Sequence, residues 1–355
     1  MAVKTSFFCK ACGMQHSKWQ GQCNSCKEWN TLFEELIENK KEKNWNKSSF
    51  GLQTNRSIQL ENIDEADESR ILTSDKELNR VLGGGIVPGS LTLLGGEPGV
   101  GKSTLLLQIA ITLEFKTLYI SGEESQKQIK LRATRMNLNN KNSYVLSENK
   151  IKNVFNEISK LNPELVIIDS IQTLQSDLID SSAGSVSQIK QTTSELIEFA
   201  KHTGVPVILV GHITKDGQIA GPKILEHMVD TVLNFEGDRN HIYRILRSQK
   251  NRFGATDEIG IYEMIPKGIK PVSNPSELLI NQNRTTLSGQ VIGVTVEGIR
   301  PLLLETQALV SSAVYGTPQR SSTGFNAKRL NMLLAVLEKR AGFTLGTKDV
   351  FINFT

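Results

Sequence analysis

Cysteine is missing from nearly the whole chain. All four, Cys9, Cys12, Cys23 and Cys26, lie near the N-terminus of 355 residues, and none follows residue 26. That excludes a disulfide framework spread over a secreted fold and argues for one local site. Long apolar runs are also missing: no stretch reaches the roughly 18 residues of a membrane helix. Met1 to Lys10 lacks the apolar stretch of a signal peptide, so the expected compartment is the cytoplasm, with no membrane partner. Neither sign of charge dominates. Lys+Arg total 41 against 37 Asp+Glu, a net charge of +4, which is compatible with nucleic acid without pointing to it. No internal repeat of solenoid type is visible. The length suggests about two to three domains, and a hydrophobic content of 38% is enough for a core.

The strongest feature is Gly95-Gly96-Glu97-Pro98-Gly99-Val100-Gly101-Lys102-Ser103-Thr104. It contains Gly-x-x-x-x-Gly-Lys-Ser, preceded by the apolar run Leu91–Leu94 and followed by Leu105–Ala110. The order is strand, glycine loop, helix. Phosphates need converging backbone N–H donors, which glycines permit, and the helix N-terminus favours negative charge. Lys102 can reach the β/γ-phosphates, and the Ser103 hydroxyl can ligate Mg²⁺.

Four regions follow from composition. In residues 1–30, Cys9-x-x-Cys12 and Cys23-x-x-Cys26 are separated by ten residues. Four thiolates on two knuckles suit tetrahedral Zn²⁺, which would supply most of the folding energy of so short a segment. Two disulfides or a redox pair are the competing readings. His16, between the pairs, is expected at the surface. Residues 31–70, with the Lys/Asn-rich tract Lys40–Ser49 and the acidic tract Glu61–Glu68, are expected to be a solvated linker.

Residues 71–270 alternate short apolar strands with helices, which predicts a mainly parallel sheet covered on both faces. Strands are expected at Leu91–Leu94, Thr117–Ser121, Leu165–Asp169, Val205–Gly211, Thr231–Phe235, Ile242–Ser248 and Glu258–Met264. Helices are expected at Ser103–Leu113, Ile151–Leu161 and Val186–His202. Residues 271–355 form a third unit. It has strand-like runs at Gly289–Val296 and Leu302–Val310, and a helix at Ala327–Gly342 whose core face would carry Leu330, Leu333, Leu334 and Leu337. A strand begins at Val350.

Further chemistry lies at strand ends. Leu165–Ser170 is a Walker B pattern, in which Asp169 would hold the Mg²⁺ shell; a helix-capping Asp is the alternative. Thr117–Ser125 ends on Glu123 and Glu124. Glu123 is the candidate for polarising the attacking water and Glu124 the fallback, while both being dipole-favoured first-turn residues is equally open. After Val205–Gly211, His212 or Thr214 is placed to sense a γ-phosphate, a strand-end residue that is simply hydrogen-bonded being equally open. Lys250-Asn251-Arg252-Phe253-Gly254 puts two cations on a short turn between strands, suited to a neighbour's active site or a phosphate backbone, or simply a basic turn.

Taken together, the zinc knuckles, Trp19-x-Gly21-x-Cys23, Glu97–Thr104 and Lys250–Gly254 resemble the bacterial RadA (Sms) family over nearly the whole chain. The resemblance implies a RecA-like P-loop ATPase core with an N-terminal zinc ribbon-type knuckle and a partial Lon-like α+β C-terminal domain, carried by Gly298–Val310. That last domain, incomplete where the chain stops at Thr355, would be a scaffold. ATP and Mg²⁺ would bind at Gly96, Glu97, Pro98, Gly99, Val100, Gly101, Lys102, Ser103, Thr104 and Asp169. Glu123 aligns with the catalytic glutamate, and Lys250 and Arg252 with positions acting near the ATP of the adjacent subunit and coupling to DNA. About 175–187 and 212–223 correspond to DNA-binding loops. The family acts as a ring, expected to be a hexamer, that drives branch migration on single-stranded and branched DNA, with a RecA-type recombinase as a further partner. An ATP-dependent Lon-like protease component and a protein-binding RecA-like signalling ATPase are the rival functions; no Ser/Lys nucleophile pair is evident for the former.

Overall fold

The computed structural model describes residues 4–9, 14–37, 59, 61, 70–211, 224–237, 242–280, 288–314 and 316–354. It divides into two compact units, Met1–Val272 and Ser273–Thr355.

The first unit opens with a small antiparallel sheet in the order β2-β1-β3, formed by β1 (Lys4–Cys9), β2 (Gln15–His16) and β3 (Leu32–Ile37). The expectation of a linker from residue 31 is corrected here. Leu32–Ile37 pairs with β1 over its whole length, Cys9 opposite Leu32 and Lys4 opposite Ile37. Its Leu-Phe-Glu-Glu-Leu-Ile pattern does not alternate, so it gave no strand signal. Most of the remainder of 38–70 lies outside the described residues.

Next come α1 (Lys76–Val81), β4 (Leu91–Gly96), α2 (Lys102–Thr112), β5 (Thr117–Ser121), α3 (Gln126–Arg135), β6 (Ser143–Ser147), α4 (Ile151–Leu161) and β7 (Leu165–Asp169). They are followed by α5 (Val186–Thr203), β8 (Val207–Val210), α6 (Ile224–Met228), β9 (Thr231–Glu236), β10 (Tyr243–Asn251), β11 (Ile259–Ile265) and β12 (Gly268–Pro271). The nine strands from β4 to β12 form one sheet in the order β12-β11-β10-β9-β4-β8-β7-β5-β6. From β9 to β6 all neighbours are parallel; β10, β11 and β12 add antiparallel hairpins at one side.

Apolar runs buried on both faces explain the parallel part. Alternate residues enter different cores: Leu94, Tyr119, Ile167, Ile208 and Leu233 pack with α2 and α3. Leu93, Leu118, Ile168, Leu209 and Val232 pack with α4 and α5. The expected α/β class holds. The sequence pattern missed α3 and β6. Only Ile129 and Ala133 of α3 are buried, and β6 is a half-exposed edge strand, so neither carries a strong period.

The second unit contains α7 (Ser276–Leu279), β13 (Gln290–Glu297), β14 (Arg300–Ser312), β15 (Arg320–Thr323), α8 (Ala327–Ala341) and β16 (Lys348–Phe354). Its sheet runs β13-β14-β16-β15, with only β15 and β16 parallel. The α8 core face is narrower than expected. Leu330 and Leu334 are buried, whereas Leu333 and Leu337 remain 46% and 43% exposed. α8 is the one long helix among the described residues of this unit, and only the stripe through Leu330 and Leu334 is covered.

Candidate nucleotide site and metal centre

The parallel register assembles the site. Ser121 pairs with Asp169, and Leu94 pairs with Val210 and Leu233. The loops after β4, β5 and β7 therefore open at one carboxyl edge of the sheet, where ligands of such sheets gather. Gly96 ends β4 with φ +152, and a Cβ there would lie 2.4 Å from the Phe235 carbonyl oxygen. Gly101 leads into α2 with φ +114, where a Cβ would lie 2.9 Å from Ile269. At Gly96 the backbone carbonyl excludes a side chain, and at Gly101 the left-handed φ disfavours one, so the loop between them keeps its backbone groups open to a ligand.

Lys102 is 4% exposed, and its Nζ donates to the carbonyls of Gly96 at 2.7 Å and Glu97 at 2.9 Å. Burial lowers its pKa to about 8, against the opposing charges of Asp169, Glu123 and Glu97. Ser103 follows it in the first turn of α2.

The two carboxylates after β5 separate. The Ser121 hydroxyl accepts from the backbone N–H of both Glu123 and Glu124. Beyond that, Glu123 accepts at Oε1 from the Ser170 hydroxyl at 2.8 Å, beside the Walker B strand. Glu124 is paired with Arg132 of α3. Neither lies in the first turn of α3, which starts at Gln126 under a Ser125–Gln128 capping box. Asp169 is 7% exposed and accepts at Oδ2 from the Tyr119 hydroxyl; the Asp169–Ser170 peptide is cis. Ser170, not Asp169, occupies the cap position of the 3₁₀ turn Ile171–Thr173. Sequence spacing did not single out Tyr119, Ser170 or Arg132; each acts across elements, and only the fold brings them together.

Lys250–Gly254 lies at the opposite edge. Asn251 pairs with Thr231 and Thr231 with Thr92, whereas Gly96 pairs with Phe235. Four residues of strand at about 3.3 Å each separate the levels. The turn is closely tied to its own chain. Lys250 Nζ donates to the carbonyls of Glu226, His227 and Val229 at 2.7, 3.2 and 2.6 Å. Asn251 donates to Leu82 O and accepts from Phe253 N, and Arg70 donates to Phe253 O. Gly254 lies so close to Gly83 that a Cβ would fall 2.9 Å from its Cα. Arg252 projects furthest, 54% exposed, with Asp230 3.4 Å away. Of the two loops, 175–187 is organised by Gln188, whose side chain bonds Ser176, Ile179 and Ser181. Residues 212–223, with His212 and Thr214, lie outside the described residues.

In the N-terminal sheet the sulfurs of Cys9, Cys23 and Cys26 all lie within 4.8 Å of one another, Cys9 and Cys26 at 3.6 Å. Tetrahedral zinc with bonds of about 2.3 Å needs sulfurs roughly 3.8 Å apart, so the set fits. Cys12 lies outside the described residues. His16 is half-buried rather than simply at the surface. Gln20 Nε2 donates to its Nδ1 at 2.9 Å, and its Nε2 stands 3.4 Å from Cys23 Sγ. Thr31 Oγ1 is 3.1 Å from Cys9 Sγ. Such contacts orient metal ligands.

Two family models match the regions that hold the phosphate loop and the cysteines. A family model described as an AAA domain matches residues 54–218, and a zinc-ribbon model described as a rubredoxin metal binding domain matches 7–34. A KaiC-like protein from Pyrococcus horikoshii is similar at a TM-score of 0.47 and 18% identity, over 57% of this chain and 98% of its own. The RadB recombinase is similar at a TM-score of 0.46 and 22% identity, over 57% and 99%. The DNA repair protein RadA of Halalkalibacterium halodurans is 48% identical over 99% of this chain and 77% of that protein. Those of Bacillus subtilis and Listeria monocytogenes are 47% and 46% identical, over 99% and 98% of this chain and 78% and 77% of theirs. With nearly half of its residues shared along almost its entire length, the chain belongs to the DNA repair protein RadA family.

Proposed function

We propose that the chain is a DNA-dependent ATPase of recombinational repair, translocating on single-stranded DNA and driving branch migration of branched DNA within a homo-oligomeric ring, a hexamer, in the cytoplasm. The observation that carries this is the split of the motifs. Lys102, Glu123 and Asp169 share one sheet edge, while Lys250–Gly254 occupies the other. Arg252 is a strand length from its own phosphate loop, so an ATP that it contacts belongs to a neighbouring subunit.

Within one chain the roles divide by geometry. Lys102 exchanges the Gly96 and Glu97 carbonyls for phosphate oxygens. Ser103 and Asp169 offer the hard oxygen donors that Mg²⁺ takes, and the ion, when bound, neutralises phosphate charge. Glu123, oriented by Ser170, polarises the attacking water; Glu124 is held away by Arg132. The zinc module, completed by Cys12, recruits DNA or a RecA-type recombinase. The second unit serves as a Lon-like scaffold. Domain limits of 1–30, 31–70, 71–270 and 271–355 remain the proposed division of labour, with the zinc fold itself running on through β3.

The test is the ATPase rate with and without single-stranded DNA. Stimulation that weakens with added salt is expected, because phosphate contacts release counterions. Hydrolysis that ignores DNA would instead favour a protein-binding ATPase.

A further inference from the structure

Tyr119 is fully buried at the site and has no part in the roles above. It lies mid-strand on β5, 1% exposed, on the face that packs against α2 and α3. A buried phenol must place its hydroxyl against a partner. This one donates to Asp169 Oδ2, one strand away and two residues further along, since Tyr119 pairs with Ile167. The hydroxyl is the donor of this bond, because an ionised carboxylate only accepts.

The terminal torsion of an aspartate is broad and nearly two-fold. Its two oxygens are equivalent, so what strand geometry alone leaves open is the orientation of the carboxylate plane. A charge-assisted O–H···O⁻ bond from a fully buried strand fixes that plane. We propose that Tyr119 is the positioning residue of the Mg²⁺ site: its bond to Oδ2 sets the rotation of Asp169 and leaves Oδ1 for the water shell of the cation. The inference rests on the ATPase reading, and on the donor set of Ser103 and Asp169 fitting Mg²⁺.

Tyr119→Phe removes one oxygen and keeps the ring. In the full chain, Mn²⁺ binding in the presence of a non-hydrolysable ATP analogue, followed by electron paramagnetic resonance, reads the metal site without turnover. Loss of an outer-shell partner lowers metal affinity by about 10- to 100-fold; a drop at the low end of that range is expected, with nucleotide affinity in the absence of metal unchanged. In an Asp169→Asn background the same substitution has no further effect, because Tyr119 acts only through that carboxylate. Metal affinity equal to wild type, even with a lowered melting temperature, would leave Tyr119 a packing residue and overturn the proposal. So would an equal loss in the Asp169→Asn background. If Tyr119→Phe does not fold, 3-fluorotyrosine at this position keeps size and bond while strengthening the donor. A shifted metal affinity then supports the proposal, and none overturns it. Failure of the wild-type chain to bind Mn²⁺ with nucleotide would be a different result, removing the ATPase reading itself.

Discussion

Burial holds the Lys102 ammonium at a pKa of about 8, against the opposing pull of Asp169, Glu123 and Glu97. An unfolded lysine keeps its proton to about 10.4. Between those values the unfolded chain binds more protons than the fold, so this group's contribution to stability rises with pH across that window and is least favourable below it. Phosphates act in the opposite sense, because they favour the ammonium. Nucleotide affinity is therefore expected to fall above pH 8, approaching tenfold per unit, with a proton taken up on binding. Calorimetry in buffers of different ionisation enthalpy reads that proton directly. Lys102→Arg, charged throughout, should bind with a flat profile over the same range; a wild-type profile equally flat would show that the ammonium keeps its proton in the empty site. Legibility at this scale was uneven. Lys102 and Asp169 were visible because strand, loop and helix surround them locally. The choice between Glu123 and Glu124 was not, because it depends on Ser170 and Arg132, 47 and eight residues away.

Among the elements, strands buried on both faces were the most legible, since their apolar runs are continuous: Thr117–Ser121 and Leu165–Asp169 fall on the expected residues. Elements with one wet face, such as α3, β6 and β3, were lost. The end of β10 shows a subtler limit. Its lysine reads in sequence as an exposed cation, yet Lys250 Nζ gathers the last carbonyls of α6 and the one beyond. Helix ends leave such carbonyls unsatisfied, and lysine commonly caps them. This capping separates two ways of acting on DNA. A lysine bound to a phosphate contributes about one unit to the salt slope of binding. Capping contributes none. Lys250→Ala should therefore weaken single-stranded DNA binding while leaving the slope of log affinity against log salt unchanged. Amide exchange should rise in 225–230. A slope reduced by one, with α6 protection retained, would show direct phosphate contact instead.

At the scale of the whole molecule, the nucleotide edge and the Arg252 edge face opposite ends of the same strands, and the proposed ring would make each the complement of the other on a neighbouring chain. Closed rings join such unlike surfaces head to tail. Mixing two inactive variants tests this without a structure of the assembly. Lys102→Ala chains keep Arg252 but have lost their own phosphate-loop lysine; Arg252→Ala chains have the reverse defect. In a ring assembled at random from equal amounts, an intact site requires an Arg252→Ala chain beside a Lys102→Ala chain in the right order. Each condition is met half the time, so about a quarter of sites should regain turnover in the mixture. The two variants assayed separately should stay near zero, and light scattering should show assemblies of the same size for all three preparations. Recovery should appear only when the chains are mixed before assembly, or after subunits have had time to exchange. A mixture no more active than its components, in rings that demonstrably contain both, would mean that Arg252 serves its own chain, and its place beside Asp230 would then be structural.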